Sequence, residues 1–203
     1  NSQRNNGEDK DSVIMNKKKL ILALVGMPGA GKTEASFYLQ KKGIPFVWFG
    51  QITEDEVLRL KLPLTQENER LAREKIRREE GMGAYAFRAK PRIDEFLKIH
   101  NILVIDGLYS WEEYTYLKKE FSELLLIHIY AEPQKRYERL LKRPIRALSR
   151  EELRLRDVTE LEKLNKGGPI AIADYLVENN SDDINNLHKK IDVLMDRLGV
   201  KNG

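Results

Sequence analysis

Eight consecutive residues constrain this chain more than any others: Gly26-Met27-Pro28-Gly29-Ala30-Gly31-Lys32-Thr33. They fit Gly-x-x-x-x-Gly-Lys-Thr, the Walker A pattern. Residues 20–25, just before them, form a continuous apolar run, as a strand buried on both faces requires. Residues 32–42, just after, are rich in helix formers and stop at Gly43, a natural helix end. A glycine-rich turn between such a strand and such a helix curls the backbone until successive N–H groups converge on an anion. In that setting Lys32 reaches the β- and γ-phosphates of a nucleotide and the Thr33 hydroxyl ligates Mg²⁺. Gly26, Met27, Pro28, Gly29, Ala30, Gly31, Lys32, Thr33 and Glu34 are the expected nucleotide contacts, with ATP and Mg²⁺ the expected cofactors.

The rest of the chain alternates strand and helix signals. Strands are expected at 45–49, 101–105, 124–130 and 173–177. Helices are expected at 53–60, 67–80, 91–98, 110–121, 133–142 and 181–198, with Ser110 and Ser181 as N-caps. Pro63 and Gly81-Met82-Gly83 break the pattern between them. Alternation of this kind predicts an α/β three-layer sandwich of the P-loop NTPase type, with a parallel sheet between helices. Residues 1–16 are polar and read as a disordered leader. Residues 17–203 read as one domain, with an acceptor-binding region at about 51–92 and a lid at about 143–167.

Composition excludes several alternatives. The 203 residues suit one α/β domain, and with no cysteine there is no disulfide, thiolate zinc site or thiol nucleophile. The longest apolar runs, such as 20–25 and 124–127, are far too short to cross a bilayer. No export signal is read, so the cytoplasm is the expected compartment. His100, His128 and His188 lack metal-ligand spacing. A net charge of +4 suits a small anionic substrate, while no basic-aromatic pattern of a nucleic-acid reader is present.

Further residues are candidates for chemistry. Asp106 ends the strand Leu103-Val104-Ile105, at the sheet edge where ligands bind in parallel sheets, and can hold Mg²⁺ there. Arginines crowd the segment after the fourth strand: Arg136, Arg139, Arg143, Arg146, Arg150, Arg154 and Arg156. Arg143 and Arg146, which flank Pro144, are with Lys32 and Asp106 the expected catalytic groups, and Arg139 and Arg156-Asp157 are further candidates. Between strands two and three, Arg59, Arg73, Arg77, Arg78 and Arg88 are candidates for an acceptor phosphate. Trp48, Phe49, Tyr85 and Phe87 are candidates for packing on its ring or chain.

The Walker A segment, Asp106-Gly107, the arginine-rich lid and the tail Ala173-Asp174-Tyr175-Leu176-Val177-Glu178-Asn179-Asn180 together resemble dephospho-coenzyme A kinase and its archaeal-type P-loop relatives. The resemblance spans about residues 20–198. It implies a nucleotide-kinase fold with a five-stranded parallel sheet of order 2-3-1-4-5, and it places Asn179 or Asn180 near adenine. Where that family has an aspartate base after the second strand, this chain has Gln51, which cannot take a proton near neutral pH. A hydroxyl acceptor needs a base whereas a phosphate acceptor does not, so Gln51 tilts the expectation toward a nucleotide-like acceptor. The expected activity is transfer of the γ-phosphoryl of ATP to such an acceptor. Dephospho-coenzyme A kinase and a regulatory or assembly ATPase are the alternatives.

Overall fold

The computed structural model describes residues 19–142 and 149–200. The leader, Arg143 and Arg146 lie outside the described residues. Strand β1 (Leu20–Val25) runs into the glycine turn and helix α1 (Lys32–Lys41). Then follow β2 (Phe46–Trp48), α2 (Gly50–Arg59), α3 (Gln66–Glu80), α4 (Ala84–Ile99), β3 (Ile102–Asp106) and α5 (Trp111–Glu120). The C-terminal part comprises β4 (Leu124–Tyr130), α6 (Pro133–Leu141), α7 (Arg150–Leu164), α8 (Gly167–Ala171), β5 (Tyr175–Glu178) and α9 (Ile184–Arg197).

The described strands form one parallel sheet of order β2-β3-β1-β4-β5, the order expected. Alternate residues of each central strand feed opposite faces, which is why these strands read as unbroken apolar runs. Ile21, Ala23 and Val25 of β1 join Leu103 and Ile105 of β3 in one core, with Ala86, Ala89 and Ile93 of α4 and Leu117 of α5. Leu22 and Leu24 join Val104, Ile127 and Ile129 in the other, under Ala35 and Leu39 of α1 and Leu187 and Ile191 of α9. Two cores separated by one sheet make the three-layer sandwich.

Four local expectations are corrected. Helix α4 starts at Ala84, seven residues before Pro91, and carries that proline on its exposed side. Its buried stripe of Ala86, Ala89, Ile93 and Leu97 holds the helix together across the missing N–H. Helix α2 begins at Gly50, so β2 is shorter than expected and Gln51 stands in a first helical turn. The N-cap of α9 is Asp183, whose carboxylate accepts from Asn185 N, and not Ser181. Helix α7 was not expected as a helix. A capping box of Ser149 and Glu152 starts it, and its inward side carries charge in place of the apolar stripe that periodicity detects. Among the described residues no helix is long and apolar enough to cross a membrane.

Candidate functional site

The turn after β1 is held by close approaches on two sides. Gly29 has φ +80°, and a Cβ there would meet the carbonyl oxygen of Arg136 at 2.7 Å. Gly31 has φ +107° and caps α1, and a Cβ there would meet the side-chain nitrogen of Asn179 at 2.5 Å. Any larger residue would strain the backbone and displace a neighbour. Asn179, buried at the end of β5, donates from Nδ2 to Ala30 O at 2.8 Å and so ties the turn to the sheet from behind. Lys32 arches back over the turn, its Nζ donating to Gly26 O at 2.7 Å and to Met27 O at 3.2 Å. Burial pulls the Lys32 ammonium down to about 7, the nearby Lys166 adds to this, and Asp106 opposes it.

Register places Asp106 beside the turn. It pairs with Leu24 of β1 and Trp48 of β2 at the carboxyl end of the sheet. Only 3% of it is exposed, and its Oδ2 has no hydrogen-bond partner among the described residues. Burial pushes its carboxyl up, against the pull of Lys32 and of the Thr33 and Ser36 hydroxyls. A buried carboxylate oxygen without a donor, next to a threonine hydroxyl, suits a hard divalent cation. Among the described residues no group of three or more His, Cys, Asp or Glu could cage a metal, so such an ion needs further oxygens from a ligand.

These groups face a cleft of about 350 Å³. Pro28, Gly29, Gly31, Lys32, Thr33 and Glu34 of the turn and α1 line it together with Asp106 at the end of β3. Tyr109, Arg156, Glu160 and Lys166 line it as well, with Phe37, Trp48 and Leu140. Lys166 is 1% exposed. Its Nζ donates to Glu160 Oε2 and lies 4.6 Å from the Tyr109 ring centroid. Arg156 Nε donates to Glu160 Oε1 at 3.3 Å. Burial would raise the Glu160 carboxyl, but Lys166, Arg156 and Lys32 overcome it and hold the group below its ordinary range. Burial likewise lowers Lys166 and raises the Tyr109 hydroxyl.

The structure thus brings Lys32, Thr33, Glu34 and Asp106 to one cleft and adds Arg156 to them. Arg139 is directed elsewhere and donates to Ser181 O at 2.8 Å. Arg136 is buried. It grips Asp157 through two bonds of 3.0 and 2.6 Å and donates to Pro28 O at 3.1 Å, fastening α7 to the phosphate turn. Between β2 and β3, Arg59 and Arg88 are bound to the buried carboxylate of Glu56, and Arg77 faces Glu113 at 3.7 Å. Phe49 and Tyr85 belong to the core and Phe87 packs edge-on against Tyr116, which leaves Trp48 at the cleft. Gln51 donates to Asp55 Oδ1 at 3.0 Å. Glu160 and Lys166 escaped the sequence reading. The only cue to Lys166 was its place before Gly167-Gly168-Pro169, where α7 stops and the chain turns back to the sheet.

Comparison with known proteins agrees with this architecture. The AAA domain family matches residues 22–165. A UPF0200 protein of Thermococcus sibiricus is 38% identical over 186 residues, covering 90% of this chain and 97% of its own length. A UPF0200 protein of Pyrococcus furiosus is 34% identical, with 87% and 98% covered. Among solved structures, shikimate kinase from Bacteroides thetaiotaomicron superposes with a TM-score of 0.56 at 17% identity, covering 89% of this chain and 98% of that one. A gluconokinase from Sinorhizobium meliloti does so with a TM-score of 0.51 at 15% identity, covering 90% and 97%. At such identities the superpositions establish a P-loop kinase-like fold. By the relatives that match nearly end to end the chain belongs to the UPF0200 family, and its residues 22–165 carry the AAA domain.

Proposed function

We propose that this chain is an ATP-dependent phosphotransferase that moves the γ-phosphoryl of ATP to a small, nucleotide-like acceptor. The observation that carries this reading is the meeting of Lys32, the unpartnered Asp106 Oδ2 and the Arg156–Glu160–Lys166 wall in one cleft. Bound nucleotide phosphates would draw Lys32 from Gly26 O and Met27 O onto the β- and γ-oxygens, exchanging two neutral acceptors for charged ones. Mg²⁺ held by Thr33 and Asp106 would supply charge neutralisation at the bridging oxygens. Arg156, with Arg143 and Arg146 from the segment before α7, would face the charge that spreads over the transferred group. Glu34 stays at the mouth, anchored to His188 Nε2 at 3.1 Å, and Asn179 keeps the turn in shape.

The acceptor side favours a ring-bearing anion. Trp48 is 38% exposed and Phe37 46% exposed, and both border the cleft, offering faces on which a planar group can stack. Gln51 is engaged with Asp55 and is no base, which favours an acceptor that is already anionic. The test is ADP release from ATP across a panel of nucleoside monophosphates, nucleosides, dephospho-coenzyme A, shikimate and gluconate. Stimulation by a monophosphate is the expected result. Stimulation by dephospho-coenzyme A alone would replace this reading with the hydroxyl-directed kinase of the family resemblance. Acceptor-independent hydrolysis only would replace it with a regulatory or assembly ATPase.

A further inference from the structure

Lysine is rarely fully buried unless paired, and Lys166 is among the most deeply buried large side chains of the described residues. Its pairing is incomplete. An ammonium has three N–H donors, and among the described residues Glu160 is its one hydrogen-bond partner, with the Tyr109 ring face beside it. The same ammonium lines the cleft that Lys32 lines, and it disfavours the charge of Lys32. Lys32, Arg156 and Lys166 share that cleft with the carboxylates of Glu34, Asp106 and Glu160, and Glu34 is bound to His188. A whole buried ion pair with only a structural task can often be replaced by apolar side chains at no loss of stability. An anion bound within reach of both ammoniums would relieve their repulsion and supply acceptors to both.

We infer that Lys166 is a second phosphate-binding cation, in the same cleft as Lys32, that holds the phosphoryl group during its transfer. The inference rests on the phosphotransferase reading above and assigns one residue within it. As the bond from Pγ to the bridging oxygen breaks, its electron pair passes to ADP, and an acceptor oxygen forms the new bond to phosphorus. Lys166 takes no proton in this step and donates to an equatorial oxygen. Three contacts hold it in place. Glu160 anchors the ammonium. Asn165 Nδ2, one residue earlier, donates to Glu112 Oε1 of α5 at 3.0 Å. Asp157 of the same α7 is locked through Arg136 to Pro28 O of the phosphate turn, so Lys166 and the turn belong to one connected frame.

The test compares wild type and Lys166→Met in turnover, in unfolding, and in ADP binding with and without aluminium fluoride in the presence of Mg²⁺. The expected Lys166→Met protein binds ADP alone within about threefold of wild type and loses about 100-fold in both turnover and the fluoride-dependent tightening. Its KM for ATP stays near wild type, and its unfolding midpoint falls, because Glu160 is left with Arg156 as its remaining hydrogen-bonded cation among the described residues. Glu160→Gln keeps the shape of the anchor and weakens its hold, so it should lose about tenfold in turnover with ADP binding intact, which serves if Lys166→Met does not fold. Wild-type turnover and fluoride tightening in Lys166→Met would overturn the assignment, as would a loss of ADP binding as large as the loss of turnover. A wild-type protein with neither acceptor-dependent turnover nor fluoride tightening would overturn the phosphotransferase reading itself, and Lys166 with it.

Discussion

The two sides of the cleft are built by different physics. The turn from Gly26 to Thr33 is contiguous in sequence and shaped by backbone: positive φ at Gly29 and Gly31, and close approaches of Arg136 O and Asn179 to those two glycines. The helical side after β4 is assembled from distant charged side chains, Arg136 with Asp157 and Lys166 with Glu160, and outside the cleft Glu56 with Arg59, Lys75 and Arg88 joins α2, α3 and α4 in the same way. A backbone-built site can be recognised from spacing alone, and little of it can be exchanged. A charge-built wall can be rearranged by small numbers of substitutions, and its strength depends on pH. Substrate choice is therefore expected to reside in the walls and phosphate binding in the turn.

The sharpest way to break this division is at Lys32. Lys32→Met should lower acceptor-dependent turnover about a thousandfold, because the one flexible cation of the turn is lost. Its unfolding midpoint should stay level or rise, since desolvation holds the Lys32 ammonium down in the folded protein. A large loss of stability would mean that the lysine's bonds to Gly26 O and Met27 O shape the turn, contrary to the division drawn here.

Arg136→Ala asks whether the wall and the turn are coupled. The substitution leaves Asp157 nearly buried with only the Tyr137 hydroxyl, at 2.9 Å, as a remaining partner. Removing one member of such a pair should cost about 3 kcal/mol in denaturant unfolding. It also frees Pro28 O, so nucleotide affinity should fall as well. Loss of stability with unchanged nucleotide binding would show two independent walls.

The Glu56 cluster, charge-built in the same way but outside the cleft, has a pH signature. Arg59 first, then Arg88 and Lys75, draw the Glu56 carboxyl from 4.5 down to about 2 against the effect of burial. The folded protein therefore releases this proton more readily than the unfolded chain. The resulting stability is fully present above about pH 4.5 and is lost as pH falls toward about 2. Glu56→Gln should cost about 2 kcal/mol at neutral pH, and the gap to wild type should close over that acid range. A gap that is independent of pH would mean that packing, not charge, holds α2, α3 and α4 together.

The division also explains what could be read before any coordinates. The strands and the phosphate turn were legible because apolar runs such as 20–25 and 124–130, and a fixed glycine spacing, are local signals, whereas the strand order came from the family resemblance. Asp106 was legible because it ends a buried strand. Helix α7 was not, since Leu155 is 65% exposed while Asp157 is buried, the reverse of the pattern that periodicity detects. Lys166 was invisible for a related reason. A lysine before two glycines reads as surface, and only the fold brings Glu160 and Tyr109 around it. Gly50-Gln51 falls between the expected strand 45–49 and the expected helix 53–60, yet Phe49 N bonds to Asp106 O and the chain turns at once into α2.

Asn179 tests the division at its finest point, because it serves the turn from a different element. The family resemblance puts this residue near adenine, whereas the geometry gives its amide to Ala30 O in a buried position. Asn179→Ala would leave that carbonyl without its donor and should cost about 1–2 kcal/mol in unfolding free energy. It should also weaken ATP and inorganic triphosphate binding to the same extent, because both ligands need the same turn and only one carries a base. If ATP binding weakens and triphosphate binding does not, with stability unchanged, Asn179 acts on the base and the turn holds its shape without help from β5. Equal weakening with reduced stability makes Asn179 the one side chain of the sheet on which the backbone-built half depends.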